Sequence, residues 1–217
     1  MRTKSISHRS LRVLGKALFL LYSLTALVGM ANAQQQQGPH DLVREASVDL
    51  LETVEKLKAQ YGNQVSDPMV DVMIGALEPI VDFQSIARNV TGNHRAAITE
   101  EQLQQFTQVF TRSLVSLYLD SFLTLAISEV EVLDPPAGFD VASGRASVQM
   151  RATTDAGQQF ALNYSMRTDA AGNWKVRNII VDGINLGLTY LNQFDGAMSR
   201  HGNDMDEVIA TWSAEIE

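Results

Sequence analysis

The chain of 217 residues contains no cysteine. That excludes a disulfide framework, thiolate metal sites and cysteine nucleophiles, and it removes the residue to which a lipoprotein anchor is attached. Prolines number only five, and no second linker separates a second domain, so at roughly 100–200 residues per domain the length argues for one. A basic surface is missing too. Setting aside residues 1–33 removes five bases and no acid, leaving 12 bases against 25 acids, a formal charge of about −13. Nucleic-acid binding starts from a basic footprint, so no nucleic-acid partner is expected. The apolar run at residues 17–30 is shorter than the roughly 20 residues of a spanning helix.

That run has another reading. Arg2, Lys4, Arg9, Arg12 and Lys16 precede it, and Ala31-Asn32-Ala33 follows it. Basic, apolar and small-residue segments in this order predict a cleavable secretory signal peptide over residues 1–33. No twin-arginine pair is present, so export by the general route is expected, and the periplasm of a Gram-negative bacterium is the expected location. Gln34–Gln37 and Gly38-Pro39 are polar and of low complexity, which predicts a flexible tether over residues 34–40. Residues 41–217 are then a single domain.

Periodicity orders that domain. Asp41 is placed to cap a helix whose Val43, Ala46, Leu50, Val54, Leu57 and Tyr61 recur every three or four residues, with Gly62-Asn63 as its stop. Shorter helical patterns follow at Val70–Leu77 and Phe83–Val90. Thr99 with Gln102 predicts a capping box, and Ile98 with Leu103 a hydrophobic staple, at the head of a long helix. The period then becomes two: Val130 and Val132, Ala146–Ala152, Phe160–Met166, and Trp174–Val181 after a turn at Asp169–Asn173. Alternation of this kind predicts an antiparallel curved sheet of about four strands with one apolar face. Helical spacing returns from Leu186 to Met198 and from Met205 to Trp212. Helices, strands and helices in segregated order make the fold class α+β.

Catalytic patterns are hard to find. His40 falls in the expected tether, His201 beside Gly202, and His94 in a loop with Arg95. No metalloprotease, nucleophile-elbow, phosphate-loop or EF-hand spacing occurs. Asp182 is expected to brace the turn into the following helix. The chain therefore reads as no enzyme, with no cofactor and no metal. Large apolar residues stand out instead, and composition alone makes them a core.

Two blocks carry a resemblance. Pro79, Asp82-Phe83, Ile86-Ala87-Arg88, Gly92, Gln102 with Phe106, Leu114 and Tyr118 form the first; Gly172–Phe194, with Trp174-Lys175-Val176, Asp182-Gly183-Ile184-Asn185 and Tyr190 with Phe194, forms the second. Together they resemble the MlaC family of periplasmic phospholipid-binding proteins, also called toluene-tolerance proteins. The resemblance runs from Leu42 to about Trp212. It departs where the family's usual tryptophan is His94, where its acid after the strand tryptophan is Asn178, and at Asp182 and Asn185.

The resemblance implies a carrier that moves phospholipid between an outer-membrane lipoprotein complex and an inner-membrane ABC transporter with a ring-forming MCE subunit, maintaining outer-membrane lipid asymmetry. A hopanoid or another apolar ligand, or an adaptor role without a ligand, are the alternatives. For a carrier, the expected cleft lies between two layers. Val148, Met150, Leu162, Tyr164 and Met166 share a facing parity, and Trp174, Val176 and Ile180 join them from the next strand. Phe83, Ile86, Phe110, Leu114, Leu117 and Tyr118 supply the opposite wall. Core packing accounts for any one of these residues equally well. No dedicated phosphate site is recognisable, so weak head-group selectivity is expected.

Overall fold

Residues 37–214 are described in a computed structural model of the chain. The expected leader, and residues 34–36 of the expected tether, lie outside them. The elements run α1 (Pro39–Tyr61), α2 (Asp67–Leu77), α3 (Phe83–Val90), a 3-10 turn (Gly92–Ala97), α4 (Glu100–Leu125), β1 (Ile127–Val132), β2 (Arg145–Thr154), β3 (Gln159–Thr168), β4 (Trp174–Val181), β5 (Ile184–Asn185), α5 (Leu186–Arg200) and α6 (Met205–Thr211). This is the expected α+β order, with one very short strand added at the sheet edge.

The first helix begins two residues before its expected cap. Gly38 takes the cap position and Pro39 the first turn, where its missing N–H is no loss. His40 is buried, its ring edge-on to Phe139 at 4.9 Å between centroids. The part of residues 34–40 that falls in α1 is therefore packed rather than tethering, and its partner lies in the connection between β1 and β2. The long helix α4 starts as its sequence predicts: Thr99 Oγ1 accepts the Gln102 N–H, and Gln102 Oε1 accepts the Thr99 N–H, both at 3.1 Å. Asp182 is exposed, and its Oδ1 accepts the Ala161 N–H at 2.8 Å.

The sheet is an antiparallel meander in the order β1-β2-β3-β4-β5. On its inner face Val148 stands opposite Tyr164 and Met150 opposite Leu162. The β3–β4 ladder contains a bulge. Ser165 opposes Asn178 and Met166 opposes Val176, so Arg177 is the extra residue. One extra residue reverses the facing of everything beyond it. Trp174 and Val176 face inward before the bulge, whereas Ile179 and Val181 do so after it, opposite Tyr164 and Leu162. Ile180 is turned to the outer face, opposite Asn163.

The bulge also anchors the helical layer. Val176 bridges the α2–α3 connection, donating to Ile80 O at 2.8 Å and accepting from the Asp82 N–H at 3.0 Å. Asp82 Oδ1 caps α3 by accepting the Ser85 N–H at 2.9 Å, and its Oδ2 lies 2.9 Å from Arg177 Nη2. Lys175 Nζ donates to Glu78 O and Pro79 O at the end of α2.

Three apolar clusters hold the layers. Phe106, Phe110, Phe194 and Trp212 join α4, α5 and the end of α6, with Phe106 4.9 Å from Phe194 and 5.1 Å from Trp212 between ring centroids, in edge-on contacts that add to plain burial. Val54, Leu57, Met69, Met73 and Leu119 join α1, α2 and α4. Val43 covers Val148, Met150, Met166 and Trp174 on the sheet.

Candidate functional site

Between the helical layer and the inner face of the sheet lies a cavity of about 590 Å³, within the usual ligand-site range of about 300–1,000 Å³. Its walls follow from the helix stripes. Val43, Ala46 and Leu50 approach from α1, Met73 and Leu77 from α2, and Ile80 and Val81 from the connection pinned to β4. Phe83 and Ile86 come from α3; Leu114, Val115, Tyr118, Leu119 and Phe122 come from α4. The sheet contributes Leu162, Tyr164, Val176, Ile179 and Val181, and α5 closes the space with Leu186, Gly187 and Tyr190.

The sequence-derived residues divide. Phe83, Ile86, Leu114, Tyr118, Leu162, Tyr164 and Val176 meet at this cavity. Phe110 and Leu117 sit seven residues apart on a stripe of α4 packed into the aromatic cluster with α5 and α6. Val148, Met150, Met166 and Trp174 are buried in the cluster that Val43 covers, where Ser47 Oγ lies 3.2 Å from Met150 Sδ. Ile180 faces away because of the bulge and borders a shallow groove with Gln149 and Arg151. The first six contribute packing and Ile180 lies on the outer face, so the cavity wall is completed by others. The α1 stripe was readable as amphipathic, but its partner was not. Ile179 and Val181 were hidden by a bulge that has no sequence mark, while Leu186 and Tyr190 were recognisable only as helix residues.

Many of the lining side chains are only half-buried although they point inward, among them Leu50, Leu77, Ile86, Leu114, Phe122, Leu162, Ile179 and Val181. Polar groups are few. Tyr190 Oη donates to Tyr118 Oη at 3.1 Å. Burial raises both phenols above their ordinary value, and for Tyr190 the neighbouring Tyr118 adds to the rise. Burial also pushes Tyr164 up, since a phenolate there would lose its hydration. The charged lining residues are Asp49, Glu52 and Lys56, all on α1. Asn178 Oδ1 accepts the Gly187 N–H at 2.9 Å and its Nδ2 donates to Asn185 Oδ1 at 2.9 Å, so this carboxamide fastens β4 to the start of α5.

His94 does find a carboxylate: its Nε2 lies 2.7 Å from Asp195 Oδ1, and its ring rests against Phe194. Neither His94 nor Asp195 lines the cavity. Among the described residues no group of three or more His, Cys, Asp or Glu is arranged to hold a metal ion. What the arrangement offers is a shaped, mostly apolar volume with a polar edge on α1.

The chain is 34% identical over 205 residues to the toluene tolerance protein ttg2D of Pseudomonas putida, covering 94% of this chain and 91% of that protein. Its fold is similar to that of a phospholipid-binding protein from Ralstonia solanacearum solved in complex with a phospholipid, with a TM-score of 0.66 at 24% identity over 77% of this chain and 90% of the other. The family model for the MlaC protein matches residues 44–214. Since that match spans most of the sequence, the chain belongs to the MlaC family.

Proposed function

We propose that this protein is a periplasmic phospholipid carrier that holds acyl chains in the cavity between α1–α5 and the sheet, with the head group at the α1 edge. The observation that carries the reading is the set of inward-facing apolar side chains that the protein itself leaves half-buried around a cavity of about 590 Å³. Each buried methylene is worth about 0.8 kcal/mol, so two chains of roughly 30 methylenes lose over about 20 kcal/mol of hydration penalty on leaving water. Water alone will not ferry such a molecule. A carrier supplies the dry path and needs neither acid–base pair nor metal. The relatives' names support the same reading, one a toluene tolerance protein and the other a phospholipid-binding protein.

In this reading the protein exchanges lipid with an outer-membrane lipoprotein complex and with an inner-membrane ABC transporter of the MCE type. Both must offer an equally apolar path, because the ligand cannot pass through solvent. The test is lipid extraction and mass spectrometry of protein purified from its native compartment. Stoichiometric phospholipid is the expected result. A hopanoid or other apolar molecule in its place would redirect the reading to that ligand, and reproducibly lipid-free protein would overturn it. In-cell crosslinking that recovers neither membrane complex would end the shuttle role even with lipid bound.

A further inference from the structure

The charged residues at the cavity are confined to one helix face. Asp49, Glu52 and Lys56 follow one another at spacings of three and four on α1, which stacks them along a single stripe. Val43 and Leu50, buried and half-buried, belong to the inward face of the same helix, whereas this stripe reaches solvent: the Glu52 and Lys56 side chains are 62% and 72% exposed. The mouth of the cavity therefore lies along this part of α1. Lys56 Nζ is 2.7 Å from Glu52 Oε1, whereas Asp49 has no ion-pair partner among the described residues. On the facing wall the Asn178 carboxamide is already committed to Gly187 and Asn185. Among the described residues Lys56 is thus the one cation lining the cavity, outnumbered by two carboxylates.

We infer that Asp49, Glu52 and Lys56 sort head groups, favouring zwitterionic phospholipids that carry an ammonium over anionic ones; this rests on the carrier reading above. Every glycerophospholipid brings a phosphate, and an exposed Lys56 is free to leave Glu52 for it. That leaves two carboxylates one and two turns away along α1, at about 1.5 Å of rise per residue. An ethanolamine ammonium, joined to the phosphate by two carbons, reaches Glu52 one turn away at about 6 Å of rise and offsets its charge, leaving only Asp49 uncompensated. A glycerol head group leaves both carboxylates facing a net negative ligand, and a second phosphate adds to the repulsion. The remaining acidity of the body acts in the same direction. Because these groups are solvent-exposed, the discrimination is modest and salt-sensitive.

The experiment incubates the full mature protein with vesicles of equal phosphatidylethanolamine and phosphatidylglycerol with matched acyl chains, re-isolates it, and reads the head-group ratio of the bound lipid by mass spectrometry. The expected ratio favours phosphatidylethanolamine about two- to five-fold at low ionic strength and shrinks with added salt. Asp49→Asn combined with Glu52→Gln brings it to the vesicle composition or past it, while Asp140→Asn, on the β1–β2 connection and outside the cavity lining, leaves it unchanged. The inference is overturned by a wild-type ratio equal to that of the vesicles, by a ratio that the double variant does not move, or by an equal shift from Asp140→Asn. Lipid taken up without sorting would end this inference alone. No uptake of either lipid would end the carrier reading with it.

Discussion

Tyr190 on α5 donates to Tyr118 on α4, oxygen to oxygen at 3.1 Å, and both rings line the cavity. Each hydroxyl is the side-chain hydrogen-bond partner of the other in a mostly apolar wall. Tyr190→Phe alone leaves the Tyr118 hydroxyl unpaired, and we expect a loss of about 1–2 kcal/mol in urea unfolding. The Tyr118→Phe/Tyr190→Phe double variant should recover part of it. A double variant that loses the sum of the two singles would show that the pair is not coupled.

The same phenols give a pH dependence. Tyr118, Tyr164 and Tyr190 are all raised above the ordinary tyrosine value, chiefly by burial. The folded state therefore holds these protons more tightly than the unfolded state. Their contribution is complete below the ordinary value of about 10 and fades as pH climbs from there toward the raised values. Unfolding free energy should fall steadily from about pH 10 upward. Phenolate absorbance of these three should appear with unfolding rather than before it.

Two leucines separate cavity from core. Leu162 lines the cavity on β3, whereas Leu117 packs into the aromatic cluster. Leu162→Asp should preserve the fold and reduce recovered lipid about ten-fold or more, because it removes apolar contact and adds a carboxylate in the dry wall. Leu117→Asp should cost about 1–3 kcal/mol of stability while folded protein still loads. Thermal unfolding and lipid quantification on the same preparations distinguish these outcomes.

Asp82 carries two duties, the α3 cap and the contact with Arg177. Asp82→Ala removes both, and a loss of about 1–3 kcal/mol is expected in denaturant. Asp82→Asn keeps an oxygen for the Ser85 N–H and should recover the capping share. Equal losses in the two variants would assign the whole effect to the ion pair.

Gly187 stands where α5 meets β4. A Cβ there would come 2.6 Å from Asn178 Oδ1 and 3.2 Å from its Cγ, so Gly187→Ala must push the carboxamide out of its bridge. The expected cost is about 1–3 kcal/mol, read by chemical unfolding. If it were instead neutral, the Asn178 bridge would be dispensable.

Elements were legible wherever a signal is local. The Thr99–Gln102 box, the Asp169–Asn173 turn and the alternation from Ala146 to Met166 each involve residues within a few positions, and each appears in the structure as read. The cavity depends on pairings across the chain, and there the reading broke down at identifiable places. Arg177 looks like any other outward strand residue, yet the bulge at its position exchanges Ile180 for Ile179 on the inner face. Phe110 and Tyr118 lie on the same apolar helix and both meet Tyr190 of α5, and nothing in their spacing says that Tyr118 lines the cavity while Phe110 does not. Asn178, read as a departure from the family's acid, is a structural fastener here. The charged turn-by-turn stripe on α1 was visible as residues and invisible as a rim, because an edge exists only once the opposite wall is in place.

The meander has a consequence in time as well as in space. Each strand from β1 to β4 pairs with its immediate successor, so the sheet can zip up through short loop closures, the quick kind. The helices that must cover its inner face come from both ends of the chain, α1 to α4 before it and α5 afterwards. Synthesis, and translocation by the expected general export route after it, both deliver the N-terminal part first. The lining stripes of α1 to α4 therefore appear before the surface they face, and they stay uncovered until Val181 has arrived. During that interval the nascent chain is at its stickiest, and a holding chaperone would have most to protect between the completion of α4 and the completion of β4.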